Sequence, residues 1–350
     1  MGKAGVYSNR SRENSRALRT RTRSITGRIG RKNPMKKHLA TMLLLSVLLT
    51  AFVPAVVSAE STSRLMLYSS LPAVQLDMMV DMFNDKYPGI KVDVFAANAN
   101  DVFARAQSES GNAQGDVVLG GGLNAFTASA NLFAEYATKN ANQLHDQYVA
   151  GAAFTPIQLH VSALIVNKDV AKSLGVNVVG WESLKDAKLA GAVAYMDPAK
   201  ASPVSEQAAF VNSLAKSVNV AASAPSFVLN AVTAGQYAVG IVNEEKAIER
   251  KQSAKNVEII YATEGAAMGA SYAGILNGAQ NVENAKLFLD FITSKAYQQA
   301  AADTLHQRSV RKDVDFNIKG VVATRNLTAL TAETTARLGM VELASAGLSR

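Results

Sequence analysis

Several short polar clusters in this chain have the composition of a receptor for a small anion. Ser69 and Ser70 close an apolar run, Leu65 to Tyr68. Asn98 and Asn100 follow a second run, and Gly120-Gly121-Gly122 with Asn124 follow a third. Small residues at such places leave backbone N–H groups open at helix starts, where they receive oxyanions. Serine there also caps a helix with no further role, and glycine also serves a tight turn. The glycines do not fit G-x-G-x-x-G spacing, so a dinucleotide site is not expected. Further along, Ser202, Ser205, Ser223 and Ser226 mark the starts of two predicted helices. Glu244 and Glu245 stand together at the start of another. An acidic pair repels phosphate, accepts sugar hydroxyls or an ammonium group, and can hold a hard metal through oxygen. It is also what the helix dipole favours at an N-terminus. Arg308 and Arg311 offer guanidinium groups to a phosphate.

Catalytic chemistry finds no assembled set. His38, His145, His160 and His306 are scattered, without the spacing of a zinc site. Gly269-Ala270-Ser271-Tyr272-Ala273 misses the nucleophile-elbow motif, with Ala where its last Gly belongs. Met66, Met78, Met79 and Met82 read as packing. The chain has no cysteine, which rules out disulfides and thiolate metal sites. The expectation is a binding protein, not an enzyme, with no cofactor and no metal.

The elements that must position these residues follow from periodicity. Arg64–Ser70 reads as a buried strand, then a helix places Val74, Met78, Met79, Met82 and Phe83 on one face until Pro88-Gly89. Ile90 to Phe95 alternates as a strand, Asp101 caps a helix ending at Gly111, and Asp116 to Leu119 is a third strand. Strand, helix, strand, helix, strand is a parallel α/β half, and ligands bind beyond the carboxyl ends of such strands. Residues 123–155 read as helical. Gln158 to Val166 reads as a long crossing strand with Leu159, Val161, Ala163 and Ile165 in phase. A second half follows, with a strand at Gly191–Met196, a helix at 203–218, a helix at Ser226–Ala234 and a strand at Tyr237–Val242. Glu244 to Gln252 is helical, Val257 to Tyr261 is a strand, and Tyr272 to Leu276 crosses back. Val282 to Thr293 turns Ala285, Phe288, Leu289 and Ile292 inward, and a helical tail is expected beyond residue 320.

The formal net charge of +8 is concentrated at one end. Residues 1–59 carry twelve Lys or Arg and one acid, leaving 24 basic and 27 acidic residues in the remainder, a net of −3. Nucleic-acid binding by the body of the protein is therefore not expected. Residues 1–34 read as a disordered basic extension ahead of a start at Met35, or as a nucleic-acid arm or transit peptide. Residues 35–59 have the pattern of a secretory signal peptide. Lys36-Lys37 is positive, Leu39 to Val53 is apolar, and Val57-Ser58-Ala59 offers a cleavage site before Glu60. A membrane anchor is the rival reading. No cysteine follows the apolar run, so a lipoprotein is not expected.

The order of segments resembles the periplasmic solute-binding proteins that include ferric-iron, phosphonate, spermidine, thiamine and sugar-phosphate receptors. Similar stretches are LMLYSS with FNDKYPGIKVDV, GDVVLGGG, ALIVNKDV, WESLKDAKLAGAVAYMDPAKAS, AGQYAVGIVNEE and NVENAKLFLDFITSKAYQ, together covering nearly all of residues 64–315. The resemblance implies a type II two-lobed α/β fold, each lobe a mostly parallel sheet flanked by helices, with a ligand cleft between them. Its divisions would be 60–157 for the first part of lobe one, 158–270 for lobe two, and 271–350 for the return to lobe one with C-terminal helices. It implies a monomeric periplasmic receptor that closes on a small-molecule ligand and delivers it to an inner-membrane ABC permease. Ferric-binding members carry a tyrosine pair after the strand that here ends at Val242, where this chain has Asn243-Glu244-Glu245-Lys246. The acidic pair and RSVRKDV, Arg308 to Val314, look more like the sugar-phosphate and phosphonate branch. Pro203 and Pro225 interrupt turns that are hydroxyl-rich in that branch. The expected ligand is a small phosphorylated or phosphonate-like anion. Ferric iron held by Glu245 with a synergistic anion is the alternative, as is a sensing role with a membrane kinase.

Overall fold

The computed structural model describes residues 63–196, 220–222, 225–331 and 333–334. Ser202, Ser205, Ser223, the expected helix at 203–218 and the N-terminal segments lie outside the described residues.

The first lobe grows from three parallel strands. β1 (Arg64–Ser69) runs between β2 (Lys91–Ala96) and β3 (Val117–Leu119), with Ser69 level with Ala96 and Leu119. Helices α1 (Ala73–Lys86) and α2 (Ala99–Ser108) make the two connections. α1 buries Gln75, Leu76, Met79 and Phe83. Val74, expected on that face, is 61% exposed. It lies about 140° around the helix from Met79, off the stripe that 3.6 residues per turn allows. The cap of α2 is Asn98, whose Oδ1 accepts the Asp101 N–H at 3.0 Å. Asp101, expected to be the cap, stands instead in the first turn and accepts from Asn98 Nδ2 at 2.6 Å.

Residues 123–155 depart from the helical expectation. They form one short helix, α3 (Leu123–Ala128), then β4 (Phe133–Ala134) and 3-10 turns. The large buried apolar residues here are Phe126, Leu132, Phe133, Leu144 and Phe154, whose spacing follows no helical period. Packing these rings together overrides the helix propensity of the alanines. Phe126 stacks on Phe133, and both lie beside Phe154.

β5 (Thr155–Asn167) is 13 residues long and reaches about 40 Å. Together with its antiparallel partner β10 (Met268–Leu276) it links the lobes. The second lobe contains α4 (Lys168–Leu174), β6 (Val193–Met196), β7 (Val220–Ala222), α5 (Pro225–Thr233), β8 (Val239–Asn243), α6 (Glu244–Ser253) and β9 (Val257–Ile260). β8 and β9 flank β5 on opposite sides, and β6 lies parallel to both β7 and β8. Trp181 is fully buried in this lobe and its Nε1 donates to Gly265 O at 2.8 Å.

After β10 the chain returns to the first lobe as α7 (Val282–Ile292) and α8 (Lys295–Leu305). Ala285, Phe288, Leu289 and Ile292 are buried, as their spacing predicts. The helical tail expected beyond residue 320 is, among the described residues up to 331, irregular chain with one 3-10 turn at Thr324–Asn326. Nor does this tail belong to lobe one alone. Val310 packs in the first-lobe core, whereas Val314 and Phe316 join the core of α5, α6 and β8. Ala329 then bridges Ala266. Apolar side chains at 314, 316, 318 and 321 find their cover on the second lobe, which draws the tail across.

Candidate functional site

The strand directions set where a site can form. β1, β2 and β3 end level with the start of β5, since Leu119 lies opposite Ala273, and Ala273 opposite Thr155. β8 points its carboxyl end at the same crossing strand from the other lobe, with Asn243 opposite Ser162. Between these two arrivals lies the middle of β5, a span of about 20 Å. In parallel α/β sheets such carboxyl ends are the ligand-binding edge.

On the first-lobe side, Ser70 and the glycine turn come together. Ser70 N–H donates to Leu119 O at 2.9 Å, and its hydroxyl reaches the same oxygen at 3.4 Å. A Cβ on Gly120 would lie 2.6 Å from the Ser70 hydroxyl oxygen. Gly120 and Gly121 both have positive φ, 87° and 98°, so only glycine takes this path without strain. Gly122 is the N-terminal cap of α3, and Asn124 is exposed on that helix. Ser69 is fully buried, its hydroxyl accepting the Leu71 N–H at 3.1 Å. Asn98 is exposed and occupied in capping α2. On the second-lobe side, Ser226 is exposed in the first turn of α5.

The two glutamates have opposite environments. Glu244 is buried and forms a two-pronged ion pair with Arg308, Nε to Oε2 at 2.6 Å and Nη2 to Oε1 at 2.7 Å. The Tyr261 hydroxyl also donates to Glu244 Oε1. Arg308 is itself buried, donates to Thr324 Oγ1 at 2.8 Å and Val322 O at 2.5 Å, and lies over the Phe316 ring. Both oxygens of Glu244 are thus taken, and Arg308, considered above for a phosphate, is spent on it. Arg311 is likewise occupied, with Asp313, Asn140 and the Thr293 carbonyl. Burial and the neighbouring Glu244 charge push Tyr261 well above the ordinary phenol range. Glu245 has no such partner among the described residues. It is half-buried, and desolvation together with the Glu244 charge raises its carboxyl to about 7.

His160 and Ser271, weighed from the sequence only for metal binding and catalysis, come together on β5 and β10. The odd positions of β5, Ile157 to Ile165, are buried and apolar. Its even positions are polar at the centre, Gln158, His160 and Ser162, and apolar again at Leu164 and Val166. Ser271 of β10 lies opposite Gln158 and on the same face. Its hydroxyl is 2.6 Å from His160 Nε2. Gln75, from the first turn of α1, donates to Gln158 Oε1 at 2.8 Å. The signal was present in the other phase of the alternation that identified this strand. Burial holds the His160 ring down to about 4, so it is neutral near pH 7.

Two outcomes test these assignments. Replacing Arg308 by Met leaves the buried Glu244 charge unmatched and should cost about 3–5 kcal/mol in denaturant unfolding, with part of the loss restored by adding Glu244→Gln. Glu245 binds its proton more tightly in the folded than in the unfolded protein. Between the ordinary glutamate range and about pH 7 the native state therefore holds more protons, and stability falls as pH rises. Melting temperature measured from pH 5 to 8 should show that decline, and Glu245→Gln should flatten it.

Residues 68–299 match the family model described as bacterial extracellular solute-binding protein. An uncharacterized protein of Haemophilus influenzae is 25% identical over 290 residues, covering 76% of this chain and 83% of that one. The periplasmic binding protein AfuA of Actinobacillus pleuropneumoniae, solved with exogenous fructose-6-phosphate bound, is similar with a TM-score of 0.61 at 22% identity. That match covers 79% of this chain and 96% of AfuA. Iron-bound HitA of Pseudomonas aeruginosa matches with a TM-score of 0.63 at 17% identity, over 79% of this chain and 98% of its own. The fold shared with these structures is that of the type II periplasmic binding proteins, two α/β lobes joined by crossing strands. With about two thirds of its length matched by the family model, the chain belongs to the bacterial extracellular solute-binding proteins.

Proposed function

We propose that the protein is the periplasmic receptor of an ABC importer and closes its two lobes over a small phosphorylated or phosphonate-like anion. The observation that carries this reading is the meeting of both sets of carboxyl strand ends at the polar centre of β5. The Ser70 hydroxyl, only 3.4 Å from Leu119 O, and the Gly121 and Gly122 backbone are the candidate donors of the first lobe. Ser202, Ser205 and Ser226 are the candidate donors of the second.

The acidic pair does not oppose an anion here. Arg308 neutralises Glu244, and Glu245, raised to about 7, is partly protonated at neutral pH and can donate in that form. The fructose-6-phosphate bound by AfuA fits a phosphate ester, whereas the iron bound by HitA fits the alternative. Closure requires that the ligand gain contacts with both lobes, since equal affinity for open and closed states shifts nothing. Export through residues 35–59 and action as a monomer complete the reading.

Thermal denaturation against fructose 6-phosphate, 2-aminoethylphosphonate, 3-phosphoglycerate, spermidine and ferric citrate tests it. A bound ligand at a hundred times its dissociation constant adds about 2.7 kcal/mol. A shift with one phosphorylated class, lost when Ser70 and Ser202 are both replaced by Ala, is the expected result. A shift with ferric citrate alone would replace the anion by iron, and no shift with any of them would remove the reading.

A further inference from the structure

His160 and Ser271 are left over from the fold's own needs. They lie on the two crossing strands, in register positions Gly269 opposite His160 and Ser271 opposite Gln158. Their hydrogen bond uses only Nε2 of the ring. Among the described residues nothing bonds to Nδ1, and that nitrogen is not one of the sealed, unpartnered polar atoms of the interior. His160 is half-buried. Ser271 is almost wholly buried and has His160 as its hydrogen-bond partner. One edge of the ring is thus held by Ser271 while the other has no protein partner among the described residues.

The position adds meaning to that geometry. His160 lies on the polar face of β5, two residues from Ser162, where β8 delivers its carboxyl end, and two from Gln158, which Gln75 of the first lobe touches. It stands between the two sets of strand ends that the proposed function uses, nearer to that of β8. The bond to Ser271 uses one ring nitrogen and leaves the other available at this place.

We propose that His160 is a solute-contacting residue of this receptor, its Nδ1 bonding to a hydroxyl or phosphate oxygen of the solute while Ser271 fixes the ring. The proposal rests on the solute-binding reading above. The ring is neutral near pH 7, because burial opposes its charged form. If Ser271 donates to Nε2, then Nδ1 carries the hydrogen and donates to either oxygen. If Nε2 donates to Ser271, then Nδ1 accepts from a hydroxyl. A sugar phosphate, which has both kinds of oxygen, suits either tautomer. Because the pair bridges the two crossing strands, the contact also reads the solute at the place where closure bends the protein.

Two substitutions separate contact from fastening. Gln places its amide near Nε2 and keeps the Ser271 bond but loses Nδ1. Asn places its amide near Nδ1 and loses the Ser271 bond. Dissociation constants for whichever of fructose 6-phosphate, 2-aminoethylphosphonate or 3-phosphoglycerate shifts the wild type are measured by calorimetry, alongside ligand-free melting. For His160→Gln we expect a melting temperature close to wild type with affinity about tenfold weaker. For His160→Asn we expect a lower melting temperature with affinity held within about threefold. A wild type that binds while His160→Gln binds equally tightly overturns the assignment and leaves the proposed function standing. A wild type that responds to none of the three removes the anion reading and the His160 contact with it.

Discussion

A single strand has to belong to both lobes at once, and the architecture follows from how β5 meets that demand. Its odd-numbered side chains enter three cores in turn. Ile157 and Leu159 are buried in the first lobe, and Ala163 and Ile165 in the second. Its even-numbered side chains reach the remaining core only at Leu164 and Val166. Between them Gln158 and Ser162 are buried polar residues and His160 is half-buried. The ends of β3 and β8 are placed by their register with β10 and β5, and those of β1 and β2 through β3. The polar interval is the part of the strand whose side chains join none of the apolar clusters.

Charge in the second lobe is organised by burial more than by count. Two adjacent glutamates at the head of α6 look equivalent as residues. One is fixed by a guanidinium that arrives from 64 positions later in the chain, and the other is left with a weakened tendency to ionise. The Arg308–Glu244 pair is deep enough that its desolvation cost is large, and the hydrogen bonds from Tyr261 and to Val322 and Thr324 complete it. What it secures is placement, since it ties the tail to the first turn of α6.

Much of this was legible in the sequence. The alternation of Leu159 to Ile165, the 3.6-residue stripe of α7 and the glycine turn at 120–122 each dictated an element through local physics. The stretch 123–155 was not legible, because its aromatic residues meet partners far away in sequence, as Phe126 meets Tyr272. The roles of Arg308 and Glu244 were hidden for the same reason. A carboxylate and a guanidinium far apart in the chain carry no mutual signal until the tail is laid across both lobes. His160 was hidden differently, since a lone histidine in a strand has no spacing to betray it.

The tail bears on mechanics. Arg308 bridges Leu159 along the edge of β5 opposite to β10, so three chain segments run side by side through the junction. Two strands alone form a cord that can twist as readily as it bends. Three in a row form a leaf spring, stiff against torsion and sideways shear and compliant only out of its own plane. If the lobes close as proposed, this third segment would stiffen the junction against torsion and favour a swing out of the plane of the three.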